Sequence, residues 1–278
     1  MNAPYLGVGM GYRVNYHADI IRGREHIDFL EATSDQFLHT SKEKTNALLE
    51  AAGELPIVPH SLAMSVGSAT VVDSEYLVRN SDFVKLVNAP WFSDHLCMTQ
   101  VPGVDLGSLT PLWFTEEVVE KTVSNIKTIK EKIPNRPFLV ENITYYLPLP
   151  VSTMSESSFI TKVLEGADCG LLLDINNVYV NSKNLRFDAH KFLLELPLER
   201  VVQVHIAGFE PQQDLIIDSH DSPVAGEVWE LLDFLVQHSP VKAISLERDG
   251  KYPLFSQILE ELQHARSIMA RHGVAVGA

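Results

Sequence analysis

One pattern occurs eight times along the sequence and restricts its fold: a short apolar segment is followed by a longer amphipathic one. Nearly continuous apolar strands are typical of a parallel sheet that is covered by helices. The predicted strands cover residues 5–9, 26–31, 56–62, 91–95, 138–142, 170–174, 201–207 and 243–247, and the predicted helices cover 42–53, 74–88, 115–132, 155–166, 226–238 and 254–272. Shorter or irregular helices are expected after the first strand and near residues 188–196.

Eight such units favour a (β/α)8 TIM barrel over a doubly wound sheet, because no linker rich in Pro, Gly or Ser interrupts them. The chain has 278 residues, which is about the size of one such barrel. We therefore expect an α/β fold with a single domain, a TIM barrel that spans residues 1–278.

The charge of the chain argues against a nucleic-acid partner. It carries 36 acidic and 22 basic residues, a formal net charge of -14, and such a field repels a polyanion. No apolar run is long enough to span a membrane, and the first ten residues lack the basic flank of a signal peptide, so a cytoplasmic location is expected. Cys97 and Cys169 are not in a C-x-x-C spacing and are expected to be buried apolar residues.

Polar side chains end most of the predicted strands, at the face where TIM barrels place their active sites. Taken singly, each has an ordinary explanation: a hydrogen-bonded structural histidine, a helix cap or a turn asparagine. Together they fall on six consecutive strands, from the third to the eighth. These residues are His60, His95, Glu141, Asn142, Asp174, Asn176, Asn177, His205, Asp218, His220 and Glu247.

This set of residues predicts a metal centre. Several carboxylates and imidazoles in one pore mouth repel one another or remain unpaired unless cations neutralise them. Oxygen and imidazole donors without a thiolate suit iron, manganese or zinc, and argue against a structural zinc site. Because eight or nine ligands exceed what one ion uses, two or three ions are expected, with a carboxylate such as Glu141 as a bridge. Arg13, in the segment GVGMGYR, is a candidate contact for an anion.

Several motifs, in order through almost the whole chain, resemble the multinuclear non-haem iron-dependent oxidative enzymes, a family that includes the methanobactin biosynthesis oxidase. The resemblance implies a xylose-isomerase-like TIM barrel that holds two or three irons in mixed Fe(II)/Fe(III) states and uses O2 as co-substrate. It also implies oxidation of a cysteine in a ribosomally made precursor peptide and a separate partner protein that recognises the peptide's leader. The motifs are GVGMGYR, HSLAMSVG, SDHL, VEN, LDINNVYVN, VHIAG, IDSHDSPV and LERD.

The order of ligands also resembles that of the trinuclear zinc apurinic endonucleases within the same barrels. That pattern implies one ion at His60, His95 and Glu141, a second at Glu141, Asp174, His205 and Glu247, and a third at Asp218 and His220, with Asn177 where the nucleases have a histidine. Asp221, Asp249 and Asn142 are candidates for orienting ligands or moving protons. One departure from the oxidase family is Phe209, where its members often have a histidine.

Our leading hypothesis is an O2-dependent iron enzyme that modifies a peptide cysteine, by oxazolone and thioamide formation or by excision of a carbon from a C-terminal cysteine. A second hypothesis is a metal-dependent phosphodiesterase, endonuclease or sugar isomerase of the same barrel type. A third is a scaffold that binds a peptide without catalysis, for which chelators would leave partner binding unchanged.

Overall fold

Eight parallel strands close into a barrel in the computed structural model, which describes residues 3–70 and 72–273. Around the barrel the order is β1, β2, β3, β4, β7, β8, β9 and β12, and β12 pairs back with β1. The predicted TIM barrel is therefore confirmed. The strands are β1 (Gly7–Gly11), β2 (Leu30–Thr33), β3 (Ile57–Ser61), β4 (Phe92–His95), β5 (Met98–Val101), β6 (Val104–Thr110), β7 (Phe138–Glu141), β8 (Gly170–Asp174), β9 (Val201–Ile206), β10 (Phe209–Gln212), β11 (Leu215–Asp218) and β12 (Ala243–Leu246).

Helices follow the barrel strands and pack on their outer face. Helix α4 shows why they begin where they do: the Thr115 hydroxyl accepts a hydrogen bond from the Val118 amide, and Glu116 and Glu117 occupy the first turn. The helices are α1 (His17–Arg22), α2 (Lys42–Ala52), α3 (Ser74–Leu86), α4 (Glu116–Lys132), α5 (Glu156–Ala167), α6 (Ile175–Leu185), α7 (Ala189–Glu195), α8 (Gly226–His238) and α9 (Phe255–Arg271).

The second strand covers Leu30–Thr33 and not 26–31 as predicted, and three elements were not predicted from the sequence. Helix α6 begins directly after β8, so Asn176 and Asn177 lie in its first turn and not in a strand-to-helix turn. The Asp174 carboxylate caps this helix by accepting a hydrogen bond from the Asn177 amide, 2.7 Å. Strands β5 and β6 form one antiparallel hairpin and β10 and β11 form another, in segments for which the sequence predicts neither a strand nor a helix.

Apolar side chains fill the inside of the barrel below the polar strand ends. They form a cluster of their own, separate from the larger core between barrel and helices. Gly9 takes part without a side chain, because a Cβ there would lie 2.6 Å from the Phe29 ring. The buried members of this inner plug are Phe29, Val58, Trp91, Leu139, Leu172, Val202 and Ala243.

Within residues 3–70 and 72–273, no helix has both the length and the apolar character that crossing a membrane requires.

Candidate metal centre

A polar layer lies directly above the inner plug. Side chains on alternate positions of a strand point to the same face, so the residue two positions after an inward apolar one also points inward. Phe29 is followed in this way by Glu31, Val58 by His60, Leu139 by Glu141 and Leu172 by Asp174. These four polar side chains are buried. The strand register therefore places them in one layer.

The first ligand group consists of His60, His95 and Glu141, with one donor atom of each within 4.8 Å of the others. The Glu141 Oε2 atom lies 3.1 Å from His60 Nε2 and 3.3 Å from His95 Nε2. The Ser93 hydroxyl lies 2.8 Å from His60 Nδ1 and holds the ring so that Nε2 faces the group. These three side chains can hold one metal ion.

The second group consists of Glu141, Asp174, His205 and Glu247, again with donor atoms within 4.8 Å of one another. His205 Nδ1 lies 3.1 Å from Glu141 Oε1 and 3.1 Å from Glu247 Oε2. Glu141 thus offers one oxygen to each group. A carboxylate placed in this way can bridge two ions.

Asp218 and His220 lie beside the second group, at the end of the β10–β11 hairpin. His220 Nε2 is 2.7 Å from Asp218 Oδ1, and His220 Nδ1 is 3.5 Å from Glu247 Oε2. The side-chain amide of Asn176 donates to Asp218 Oδ1, 2.7 Å, whereas that of Asn177 accepts from Thr144 and donates to the Asn142 carbonyl. Asn177 lines the cavity, while Asn176 is the asparagine that touches Asp218.

The acid–base properties of the site follow from burial and mutual charge. Burial disfavours ionisation of Glu141, but three neighbouring imidazoles, His205 foremost, outweigh it and hold the pKa of Glu141 well below its usual range. Burial, with repulsion from Asp218 and Glu141, raises the pKa of Asp174 well above its usual range. Burial also lowers the pKa of His95 to about 4, so this imidazole is neutral and its ring nitrogens can bind metal.

The donor set fits a metal. Buried side-chain atoms that have no hydrogen-bond partner lie in this layer, among them His95 Nδ1 and Asp174 Oδ2. Leaving such atoms unpaired costs about 1–3 kcal/mol each, and a bound cation removes that cost for those that ligate it. Imidazole and carboxylate donors suit iron, manganese or zinc.

Comparison with known proteins identifies the family of the chain. The family described as "RiPP precursor modification enzyme MbnB/TglH/ChrH" matches residues 7–270, where RiPP denotes a ribosomally synthesised and post-translationally modified peptide. A UPF0276 protein of Caulobacter vibrioides is 35% identical over 265 residues, which cover 95% of this chain and 94% of that protein. A UPF0276 protein of Shewanella oneidensis is 36% identical over 246 residues, 88% of this chain and 87% of that one.

The chain belongs to this RiPP modification family. Membership implies an enzyme that depends on metal and acts on a precursor peptide.

Solved structures of much lower identity share the fold alone. D-psicose 3-epimerase from Clostridium cellulolyticum is 9% identical with a TM-score of 0.61, and the match covers 98% of this chain and 100% of that one. Endonuclease IV from Thermus thermophilus is 15% identical with a TM-score of 0.54, covering 96% of this chain and 100% of that one. These likenesses show that the chain shares the TIM-barrel fold of both enzymes.

A cavity of 470 Å³ opens above the ligand groups. Among the described residues that line the cavity, Arg13 is the one Arg or Lys. Its guanidinium pairs with Asp249, which follows the neighbouring strand β12. Asp249 also lies 3.1 Å from His220 Nδ1, so it connects Arg13 to the Asp218–His220 pair. The apolar part of the wall comes from Leu62, Leu109 and Ile143.

The three predicted catalytic residues take different places. Asp249 lines the cavity, whereas Asp221 lies 3.5 Å from Lys251 Nζ on the adjoining loop. Asn142 is buried, and its side-chain amide makes two 2.9 Å hydrogen bonds with the backbone of Asp174, one to the carbonyl and one from the amide N–H. Asn142 therefore positions a ligand strand and does not face the cavity's open space.

Two further residues define the surroundings of the site. Sequence reasoning missed Glu31, whose Oε2 lies 2.8 Å from His205 Nε2. Its position two residues after Phe29 is the signal that could have identified it. Phe209 lies opposite Asp218 in the hairpin and packs on Tyr179, with ring centroids 5.2 Å apart. A phenyl ring supplies no donor atom beside Asp218.

Proposed function

We propose that this protein is an O2-dependent multinuclear iron enzyme that oxidises a cysteine residue of a RiPP precursor peptide. The observation that supports this most is the pair of buried ligand groups that share Glu141. They contain imidazole and carboxylate donors and no thiolate, a set that suits non-haem iron.

The residues would divide the work as follows. His60, His95 and Glu141 would hold one ion, and Glu141, Asp174, His205 and Glu247 a second. Bound iron would supply a Lewis acid that acidifies the cysteine thiol and a redox centre at which O2 becomes the oxidant. Because Glu141 belongs to both groups, its two oxygens would keep the ions adjacent.

Residues around the ligands would orient groups and manage protons. Asp249 accepts a hydrogen bond from His220 Nδ1 at 3.1 Å, which leaves His220 Nε2 facing Asp218. Arg13 holds Asp249 from the other side, so the carboxylate has a fixed orientation. Leu62, Leu109 and Ile143 would limit the access of water to the reacting cysteine.

The opening of the cavity favours a peptide substrate and a protein partner. A volume of 470 Å³ is in the range of sites for small ligands, so it suits a cysteine side chain with its neighbouring backbone. The loops that follow the barrel strands expose large apolar side chains, and exposed apolar patches mark protein interaction sites. Four of these side chains are Leu109, Trp113, Leu147 and Leu254. We expect a separate leader-recognition protein to dock here.

The test is an anaerobic purification with metal analysis, followed by oxygen uptake and mass spectrometry with a cysteine-containing precursor peptide and its partner protein. We expect at least two irons per chain and a mass change in the peptide that requires O2. A peptide in which serine replaces the cysteine is the matched control and should stay unmodified. A protein that holds only zinc and leaves the cysteine unmodified would contradict the proposal.

The same preparation separates the hydrolase and isomerase readings. Cleavage of an abasic-site oligonucleotide or epimerisation of a ketose by the metal-loaded protein, without consumption of O2, would favour them.

A further inference from the structure

A buried chain of hydrogen-bonded side chains joins the inner plug to the polar layer above it. Its members are Trp91, Gln203, Glu31 and His205. Trp91, Gln203 and His205 are fully buried, and Glu31 is 3% exposed. The hydrogen bonds between these side chains are therefore shielded from solvent.

The donors and acceptors in this chain can be assigned in only one order. An indole N–H can only donate, so Gln203 must direct its oxygen to Trp91 Nε1, 2.7 Å away. The amide nitrogen of Gln203 then faces Glu31 and donates to Oε2. A carboxylate in this position accepts, and it accepts from two donors at the same oxygen.

His205 is the second donor. Its Nε2 lies 2.8 Å from Glu31 Oε2 and 3.3 Å from the amide nitrogen of Gln203. Because the Gln203 nitrogen is itself a donor, the proton on His205 Nε2 has one acceptor among these atoms, the Glu31 carboxylate. A neutral imidazole with its proton on Nε2 has its lone pair on Nδ1, the atom that faces the ligands Glu141 and Glu247.

We infer that Glu31 is a positioning residue for the second metal group: it fixes the tautomer and ring orientation of His205 so that Nδ1 binds the ion. This inference rests on the proposed metal centre and assigns a role to a residue outside both ligand groups. A carboxylate that accepts the distal N–H of a ligating histidine also makes the imidazole a stronger ligand. Gln203 and Trp91 act one step further away, since they set the side of Glu31 that faces His205.

The test compares metal binding by the wild-type protein, Glu31→Gln and Glu31→Leu in anaerobic Fe(II) titrations against a chromophoric chelator. Glu31→Gln keeps an oxygen that can accept but removes the charge, and Glu31→Leu removes the acceptor. We expect Glu31→Gln to weaken one of two Fe(II) sites by about 10- to 100-fold, and Glu31→Leu to weaken the same site further. The site formed with His60 and His95 should keep its affinity.

A matched control is Asn125→Leu, which removes a buried amide that donates to the Val66 and Ser68 carbonyls at 2.9 Å, on helix α4. It should lower the melting temperature and leave both Fe(II) affinities unchanged. A second readout is independent of affinity. In 15N-histidine NMR of the Zn(II)-loaded wild-type protein, His205 should carry its proton on Nε2 and its metal on Nδ1.

Two results would overturn the inference. One is a Glu31→Gln protein that binds both ions as tightly as wild type; the other is an NMR spectrum with the metal on Nε2 of His205. If the wild-type protein binds no metal, the proposed function fails and this inference with it. If wild type binds two ions and only the Glu31 prediction fails, the metal centre stands without this role for Glu31.

Discussion

Replacing Glu141 with glutamine should remove both metal ions while preserving the shape of the site. Glu141 offers Oε2 to His60 and His95 and Oε1 to His205, so a neutral amide weakens both groups at once. Each ion bound at about 100 times its dissociation constant adds about 2.7 kcal/mol to the free energy of unfolding, hence about 5 kcal/mol for two. At about 2–4 °C per kcal/mol, Fe(II) should raise the wild-type melting temperature by about 10–20 °C.

We expect Glu141→Gln to lose nearly all of this metal-induced rise. The measurement is differential scanning calorimetry under anaerobic conditions, with and without Fe(II), on both proteins. Glu156→Gln is the matched control, because Glu156 is a carboxylate that accepts a 2.8 Å hydrogen bond from Tyr145 outside the metal cavity. It should keep the full rise. If Glu141→Gln retains two ions and the wild-type temperature shift, the assignment of Glu141 as the shared ligand is refuted.

Three other predictions concern the surroundings of the site. Burial raises the pKa of Glu156 to about 7 from the usual 4.5, so between these pH values the folded state retains a proton that the unfolded state loses. The free energy of unfolding should therefore fall by at most about 3 kcal/mol as pH rises from 4.5 to 7. Urea unfolding of Glu156→Gln should lack this dependence on pH. Asn142→Ala removes two hydrogen bonds to the Asp174 backbone and should cost about 2–3 kcal/mol in urea unfolding and weaken one Fe(II) site; unchanged Fe(II) affinity would contradict its positioning role. Phe209→His places a metal-binding nitrogen opposite Asp218 and should increase the number of metal ions bound per chain, through Asp218 and His220. The lost packing on Tyr179 should lower the free energy of unfolding by about 1–2 kcal/mol. An unchanged number of ions in metal analysis would count against this prediction.

The barrel was predictable because its strands are buried on both faces and read as continuous apolar runs. The same property exposed most of the site, since a charged residue that ends such a run has few alternatives to a shared function. Glu141 and Asp174 each follow three apolar residues, so their polarity contrasts with the strand. Glu31 ends the predicted strand 26–31, but that segment also contains His26 and Asp28, so its polarity contrasts less with the strand until the inward position of Phe29 is known.

The elements that sequence analysis missed depend on contacts that cross between units. Helix α6 begins at Ile175, directly before Asn176 and Asn177, because Asp174 caps it. Asparagine taken alone favours a turn. The β10–β11 hairpin is held by helix α6, where the Asn184 side chain bonds both the amide and the carbonyl of Ile216. Gly208 permits the loop to approach closely, since a Cβ there would lie 2.1 Å from the Ser222 carbonyl. These contacts join residues from different units of the fold, so a local sequence pattern does not predict them.

The position of the polar layer follows from the inner plug beneath it. Inward side chains alternate with outward ones along each strand, so the layer above the plug is also buried. It can be polar only if hydrogen bonds or bound cations pair its polar groups. Ser93 and Ser245 are small members of that layer, and strands β2, β3, β7, β8 and β9 each bring a carboxylate or an imidazole. The ring of Trp91 packs in the plug, while its N–H donates to Gln203 and so connects it to the polar layer. Packing in the barrel and ligand geometry are therefore not independent, and changes at the base of the barrel should be transmitted to His205 through this chain.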